Sequence, residues 1–487
     1  MKRPSIKLIL PFFLGVIFSC TRISEYSPAG KSLQVFPDFS GTTVPYNIAP
    51  LNFYIHGDTG RYLVRFIAGA DSFDIHRRNK VMIPQRKWKR LLNNHKGENL
   101  TIRLFSEKNK KWLKYQDMTI LIAAEPVDPY IAYRLIEPGY EFWGEMGIYQ
   151  RHLESFEETP VMVNTLTDGN CMNCHSFHKN NPEKMLFHMR AKHAGTIVVK
   201  DGEVKKIDTK TPDNVSAGVY PRWHPNGRFI AFSVNQTSQA FHTVHENLIE
   251  VYDRESDIII YDTEKEVIYI SPVIHSADRF ETYPEWSPDG KSLFFCSAGA
   301  KDMPQEYQSL KYDLFRVDFD PQTGKIGNKI DTTLLASSMG KSVAHPRISP
   351  DGKQMVICLS NFGTFPIWHK ENDLYLLDMQ THELNPITEV NSTESDSYHS
   401  WSTNGNWMVF GSRRIDGLYT RPYIAYFDSN GKFHPPFLLP QKDPLWYDES
   451  MKSYNIPEFI SGKIKTSIRT FERVSKGNAK ILKSLSL

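Results

Sequence analysis

Five residues in the middle of the chain have the spacing that attaches a haem group covalently. They are Cys171-Met172-Asn173-Cys174-His175. In a C-x-x-C-H motif the two thiols add to the two vinyl groups of one haem, and the histidine that follows supplies an imidazole to the iron. The pattern predicts one covalent haem c, held by Cys171 and Cys174, with His175 as the proximal iron ligand.

Three other chemistries use paired cysteines, namely a structural zinc site, a thioredoxin-like redox pair and a plain disulfide. The chain has no second Cys/His pair at zinc-finger spacing, and the motif has no βαβ setting. Cys296 and Cys358 each lie in an apolar run, so both are predicted to be small buried residues of strands. The covalent haem is the favoured interpretation of the first pair.

The segment after the motif is predicted to supply the sixth iron ligand. Asn181 can cap a helix that begins at Pro182 and ends near Lys192. On such a helix His188 shares one face with two methionines, and this face could cover the open side of the haem. His188 is the first candidate. The alternatives are Met189, Met185, a ligand from elsewhere such as His224, and an open coordination site.

The first twenty residues have the layout of a secretory signal. Three basic residues precede an apolar stretch, Leu8 to Phe18, that is too short to span a bilayer. The ending Ile17-Phe18-Ser19-Cys20 resembles a bacterial lipobox, in which the cysteine is acylated. The resemblance implies a lipoprotein that is anchored through Cys20 and faces the periplasm, with the outer membrane favoured. The alternative is an ordinary signal peptide with a chance cysteine.

Four segments in the second half of the chain repeat one phrase. They begin at Tyr220, Tyr283, His345 and Tyr398, and each places a turn such as Pro-Asp-Gly or Asn-Gly before an apolar strand. A further strand that ends in Asp follows each phrase. A period of roughly 50–60 residues with two strand pairs per unit predicts the four-stranded blades of a β-propeller.

The repeated phrase resembles the repeats of TolB-type β-propellers of bacterial periplasmic proteins. The resemblance implies a propeller of five or six blades, whose first blade is degenerate and begins near Gly195. We place this propeller at residues 196–450. The fold class is therefore mainly β, with an N-terminal sandwich-like domain, a short helical c-type haem segment and a C-terminal TolB-like propeller.

The rest of the chain divides around these two features. Residues 1–19 are the signal, 20–44 a tether, 45–165 a β-rich domain, 166–195 the haem segment and 451–487 a C-terminal tail. In the β-rich domain we expect strands at Leu51–Ile55, Tyr62–Ile67, Leu100–Phe105 and Met118–Ala124, and a helical turn at Gln85–Leu92.

Charge and motif content exclude several functions. The net charge of +3 among 487 residues gives no basis for nucleic-acid binding. No G-x-S-x-G motif occurs and about forty residues follow Tyr447, so the serine-peptidase domain that accompanies some propellers is not expected. Only one C-x-x-C-H motif occurs, which excludes a dihaem peroxidase.

Three functions remain. The favoured one is a membrane-anchored periplasmic c-type cytochrome that transfers electrons to a redox partner protein. The alternative is a propeller-based scaffold or sensor that binds a protein or a glycan and carries a structural haem. A haem enzyme is the less favoured interpretation, because it needs an open iron with a distal acid or base.

Overall fold

The computed structural model describes residues 23, 25–57, 60–137, 144–242 and 247–486. The predicted fold class is confirmed, because the described chain is mainly β and contains a β-propeller. The propeller has six blades and follows an N-terminal β domain. In the described ranges, no helix is long and apolar enough to cross a membrane.

The N-terminal domain contains two sheets and one helix. The larger sheet contains Ser27–Pro28, Thr43–Pro45, Arg61–Ala68, Asp71–Arg77, Asn99–Lys108, Lys111–Lys114 and Met118–Ala123. The smaller sheet contains Val35–Phe36, Phe53–Ile55 and Lys80–Val81. The helix, Gln85–Asn94, buries Trp88, Leu91 and Leu92 on the face that its 3.6-residue period brings together. The four strands and the helical turn expected from the sequence are all present.

The first three blades are four-stranded antiparallel sheets, and the strands of each are named from the propeller axis outward. Blade 1 contains Met172–His178, Asn181–Met189, Gly195–Lys200 and Glu203–Asp208. Blade 2 contains Gly218–Trp223, Phe229–Phe241, Ile249–Asp262 and Val267–Ile270. Blade 3 contains Arg279–Trp286, Ser292–Gly299, Asp313–Phe319 and Ile326–Leu334. The repeated phrases form the inner strands of blades 2 to 5, and the following apolar runs form the second strands.

The last three blades complete the ring. Blade 4 contains Ser342–Ile348, Gln354–Ser360, Asp373–Asp378 and Leu384–Pro386. Blade 5 contains Asp396–Trp401, Trp407–Ser412, Arg421–Tyr426 and Phe437–Leu438. Blade 6 contains Ser453–Ile460, Tyr130–Ile136, Gly147–His152 and Glu158–Val163. Each inner strand contacts the inner strands of the two neighbouring blades, so the ring is closed.

The structure divides the chain differently from the sequence prediction. Blade 6 takes three strands from the region assigned to the β-rich domain and its inner strand, Ser453–Ile460, from the region assigned to the tail. The propeller therefore begins at Tyr130 and not near residue 196. The end of the chain adds parallel edge strands to two blades, Lys480–Ile481 on blade 1 and Lys483–Ser486 on blade 2.

Short helical segments connect these sheets. Among the described residues, two further α-helices occur, Trp446–Glu449 and Ile468–Lys476. Ser467 caps the second one, because its side chain accepts a hydrogen bond of 3.1 Å from the Thr470 amide. Single 3₁₀ turns occur at Asn164–Thr167, Ala191–His193, Tyr307–Ser309, Ser337–Met339 and Pro366–Trp368.

The helix predicted from Pro182 to Lys192 is wrong. Residues Asn181–Met189 form the second strand of blade 1. Lys179 and Asn180 both have positive φ, 47° and 59°, and form a two-residue hairpin turn between the paired residues His178 and Asn181. The pattern that suggested a helix cap is therefore a hairpin turn, and the apolar run after it is a strand buried on both faces.

Candidate functional site

All six inner strands share one backbone irregularity close to the propeller axis. Each has a two-residue bulge at which its pairing with the next strand shifts register. The first bulge residue has a φ between 47° and 52° in every blade. From blade 1 to blade 6 these residues are Cys174, Tyr220, Tyr283, His345, Tyr398 and Ile456. A bulge re-aims the side chain that follows it, so the same strand position faces the axis six times.

The C-x-x-C-H motif is part of this sixfold pattern. Cys174 and His175 form the bulge of blade 1, where blades 2 and 3 have Tyr220-Pro221 and Tyr283-Pro284. Burial raises the pKa of the Cys174 thiol. Burial also lowers the pKa of His175 to about 3, and its Nε2 atom lies 4.0 Å from a carboxylate oxygen of Glu458.

In the described conformation, little free space lies beside His175. The His175 side chain is fully enclosed, with an exposed fraction of 0%. The cavity beside it has a volume of about 30 Å³, which holds about two water molecules, whereas pockets for cofactors measure about 300–1,000 Å³. Across the ranges that the structure describes, no three His, Cys, Asp or Glu side chains are grouped so that they could hold a metal ion.

The residues predicted as sixth ligands are also strand residues. His188, Met185 and Met189 all lie in the second strand of blade 1, in which alternate side chains point to opposite faces. The two methionines pack in one apolar cluster, and His188 contacts Thr196 Oγ1 at 3.1 Å through Nδ1. Burial lowers the pKa of His188 to about 3. The shared helical face that the sixth-ligand prediction requires does not exist.

The remaining positions predicted from the sequence are His224 and the cysteines other than Cys174. His224 is buried, and its Nε2 lies 2.8 Å from the carbonyl oxygen of Gly290. Cys296 and Cys358 are buried residues of second strands, as predicted. Cys171 is half-buried at the start of blade 1. The four described cysteines, Cys171, Cys174, Cys296 and Cys358, are all free thiols. Cys20 lies outside the described residues.

A ring of charged side chains follows the bulges. From blade 1 to blade 6, the residues that follow the bulges are Ser176, Arg222, Glu285, Arg347, Ser400 and Glu458. Arg222 Nε lies 3.0 Å from Glu285 Oε2, and Arg347 Nη1 lies 3.3 Å from the same oxygen. Arg222 Nη1 also reaches Glu458 Oε1 at 3.5 Å. We call these four charged residues the axial charge ring.

The axial charge ring is largely removed from water. The exposed fractions of its four side chains lie between 10% and 15%. Burial raises the pKa of Glu285 and of Glu458 to about 7, while the neighbouring Arg222 opposes the shift in both. The ion pairs therefore compensate only part of the cost of removing the carboxylates from water.

The axial charge ring forms the floor of an open cavity on the propeller axis. This cavity, the funnel, has a volume of about 390 Å³. Its wall includes Trp223, Trp286 and Trp401, which are all at least 93% buried. The indoles of Trp286 and Trp401 donate hydrogen bonds of 3.1 Å to the carbonyls of Arg222 and Arg347, and so join neighbouring blades.

Some buried donors in the funnel wall have no acceptor among the described residues. Arg347 Nε and Trp223 Nε1 make no hydrogen bond to any residue that the structure describes. A buried donor without an acceptor costs about 1–3 kcal/mol. The funnel can therefore bind a group that brings carbonyl or carboxylate oxygens, and its carboxylates can receive donors from the same ligand.

The C-x-x-C-H segment itself carries a sequence signal for this site, because it has the layout of the repeated phrase. Cys174-His175-Ser176-Phe177 followed by His178-Lys179-Asn180-Asn181 has the layout of Tyr220-Pro221-Arg222-Trp223 followed by His224-Pro225-Asn226-Gly227. An aromatic residue in fourth place, a histidine in fifth place and an asparagine in seventh place are common to both. The motif is thus a fifth copy of the repeated phrase, in which cysteine replaces tyrosine.

Comparison with known proteins identifies no family. No protein-family model matches the chain, and no curated protein matches it. Solved structures that resemble it include a puromycin-hydrolysing peptidase of Mycobacterium tuberculosis, with 12% identity over 82% of this chain and 57% of that chain and a TM-score of 0.35. Prolyl oligopeptidase B of Galerina marginata has 10% identity over 70% of this chain and 49% of its own, also with a TM-score of 0.35.

A third solved structure is matched over nearly all of its own length. It is a DUF4784 family protein of Bacteroides caccae, with 9% identity over 74% of this chain and 96% of that chain and a TM-score of 0.31. The chain spans about half the length of the two peptidases.

The identification as a c-type cytochrome is wrong, and so is the electron-transfer function built on it. The motif is the inner strand of a propeller blade, and the described residues contain no group of three His, Cys, Asp or Glu side chains that could hold a metal ion. The cytochrome, haem and iron assignments conflict with this arrangement. The covalent haem c stays a prediction of the motif alone. The propeller-based binding protein, our alternative, agrees better with the structure.

Proposed function

We propose that this protein is a binding protein whose funnel takes a polypeptide segment of a partner protein. The observation that carries the proposal is the axial charge ring, which places two arginines and two carboxylates on the floor of an open cavity. An extended peptide brings acceptors for Arg347 Nε and Trp223 Nε1, and amide or ammonium donors for Glu285 and Glu458.

The funnel suits a peptide better than a glycan. Sugar rings are held chiefly by exposed aromatic faces, and the three tryptophans of the funnel are buried between blades. Charged groups on the floor instead match the charged side chains or termini of a peptide, and this complementarity gives specificity and speeds association. A glycan ligand is therefore the second candidate for this site.

Selection from a random peptide library tests the proposal. Peptides would be selected on the wild-type protein and their dissociation constants measured by calorimetry. We expect Arg347→Ala and Glu285→Gln to weaken binding at least about tenfold. Arg316→Ala is the matched control, because Arg316 pairs with Asp331 at 2.7 Å on the outer part of blade 3, away from the funnel. Peptides that bind all variants equally would contradict the proposal.

We also propose that Cys20 anchors the protein to the periplasmic face of a membrane, with the outer membrane favoured. The support is the basic and apolar segment that precedes Cys20 in the sequence. Cys20→Ala should move the protein from the membrane fraction to the soluble fraction. A wild-type protein without diacylglycerol by mass spectrometry would contradict the anchor.

A further inference from the structure

A second large cavity lies where the N-terminal domain meets the end of the propeller. It has a volume of about 500 Å³. Lys80 comes from the N-terminal domain, Arg151 and Phe156 from blade 6, and Trp446 from the connection between blades 5 and 6. We call this cavity the interdomain cleft. Ligand pockets occur preferentially at such domain boundaries, with volumes of about 300–1,000 Å³.

The interdomain cleft has an exposed aromatic wall. Trp446 is 42% exposed, although tryptophan is usually largely buried. Its indole is held in place, because Nε1 donates a hydrogen bond of 3.0 Å to the hydroxyl oxygen of Tyr454. Half-buried Phe156 provides a second ring, with the Arg151 guanidinium 5.8 Å from its centre. The cleft therefore presents a fixed, flat apolar surface to solvent.

Planar polar groups lie beside this aromatic wall. Arg151 is 2% exposed and donates a hydrogen bond of 2.8 Å from Nη1 to Gln441 Oε1. Its Nε atom has no hydrogen-bond partner among the residues that the structure describes. At the rim, Lys80 Nζ and Asp443 Oδ2 form an ion pair of 2.6 Å. The cleft thus offers both donors and acceptors, and one of the donors is buried and unused.

We propose that the interdomain cleft is a saccharide-binding site. A sugar ring has an apolar face of C–H groups, which stacks on an aromatic ring, and a rim of hydroxyls that both donate and accept hydrogen bonds. Trp446 matches the first feature, and Arg151, Gln441 and Asp443 match the second. The charged residues of the lining include both signs, which suits a neutral sugar. This site is separate from the funnel and does not depend on the function proposed for it.

Neutral trisaccharides are suitable probes for this site. The detergent-solubilised full-length protein would be titrated with maltotriose, cellotriose and chitotriose, with binding followed by tryptophan fluorescence and calorimetry. At least one of them should bind saturably. Trp446→Ala should weaken that binding at least about tenfold, and Trp446→Phe should retain most of it, because a flat ring remains. Trp112→Phe, in the N-terminal sheet, is the control and should leave the affinity unchanged.

A second variant protects the test against misfolding. Phe156→Ala removes the other ring and should also weaken sugar binding, while circular dichroism melting shows whether each variant is folded. Three results with the sugars would overturn the proposal: none of the trisaccharides binds, binding survives in folded Trp446→Ala, or binding is lost in Arg347→Ala and so belongs to the funnel. A funnel-selected peptide that needs Trp446 would assign the cleft to the protein partner and would also overturn it.

Discussion

The funnel and the interdomain cleft are open cavities of similar size, 390 and 500 Å³, that differ in how their polar groups are supported. The charges of the funnel come from one strand position repeated in six blades, so they pair with each other and are buried. The charged groups of the cleft come from three segments that are distant in the sequence. Its ion pair joins Lys80 and Asp443, and both of these side chains are more than 40% exposed. Substitutions in the funnel should therefore change stability and binding together, whereas those in the cleft should change binding alone.

Removal of an ion-pairing side chain should give the largest difference in stability loss between the two cavities. Arg222 pairs with both Glu285 and Glu458, so Arg222→Ala leaves two buried carboxylates without this partner. We expect a loss of about 3–5 kcal/mol in the free energy of unfolding near neutral pH. Lys80→Ala, which breaks the exposed pair of the cleft, should cost at most about 1 kcal/mol. Urea unfolding followed by fluorescence measures both, and equal losses would contradict the comparison.

The pH dependence of stability should distinguish the same two sites. Burial raises the folded-state pKa of Glu285 and Glu458 from 4.5 to about 7, so the folded protein binds more protons than the unfolded chain between these values. The stabilising contribution of these carboxyls is complete below about pH 4.5 and is lost as pH rises through about 7, on the order of 1–3 kcal/mol per carboxyl. Asp253, Asp257 and Glu281 have raised pKa values for the same reason and contribute to the slope.

Glu285→Gln should make this slope smaller in a series of unfolding curves at different pH values. Asp443→Asn is the control from the cleft. The hydrogen bond from Lys80 lowers the pKa of Asp443 below 3.8, so its contribution is present at higher pH and is lost only in more acidic solution. A slope that is unchanged by Glu285→Gln would show that the carboxylate is ionised throughout this range.

Replacing a tryptophan should cost more stability in the funnel than in the cleft, but this difference is smaller than the one expected for the ion pairs. Trp286→Phe removes the indole donor to the Arg222 carbonyl and should cost about 1–2 kcal/mol. Trp446→Phe also removes a hydrogen bond, to Tyr454, but at an exposed position where water can replace it, so a loss below about 0.5 kcal/mol is expected. Thermal unfolding of both variants provides the measurement. A larger loss for Trp446→Phe would mean that the cleft contributes to the fold.

A small effect is also expected for one substitution within the C-x-x-C-H motif. His175 has the bulge position at which blades 2, 3, 4 and 6 have proline. His175→Pro should therefore fold and lose less than about 1 kcal/mol. Ser176→Pro is the matched comparison, since Ser176 pairs with Leu186 in the sheet and its substitution should cost about 3 kcal/mol. Unfolding of the His175→Pro variant would contradict the equivalence of the six bulges.

Local sequence patterns predicted much of the fold. The turn and apolar strand of each repeated phrase are adjacent in the chain, so blades 2 to 5 could be recognised from residues such as Gly290 and Gly352 alone. The helix at Gln85 and the strands around it were predicted for the same reason. The propeller was expected to have five or six blades, and it has six.

The remaining two blades could not be found in this way. In blade 1 the residues Cys174 and His175 replace the usual Tyr-Pro pair, and the cofactor chemistry of that spacing outweighed its resemblance to a strand. In blade 6 the inner strand and its partner, Ser453–Ile460 and Tyr130–Ile136, are separated by about 320 residues. No local pattern reveals such a pairing. The axial charge ring needs Glu458 from blade 6, and the interdomain cleft joins three distant segments, so neither site was predicted.

The pairing within blade 6 also sets the order in which the protein can fold as it is synthesised. Strands Tyr130–Ile136, Gly147–His152 and Glu158–Val163 are complete about 290 residues before their inner neighbour, Ser453–Ile460. At about 5–20 residues per second, synthesis of this interval takes about 15 to 60 s. During this time Tyr130–Ile136 has an unpaired edge that could associate with another chain. The nascent protein therefore requires either protection of this edge, as a holding chaperone would provide, or export in an unfolded state until its last strand is available.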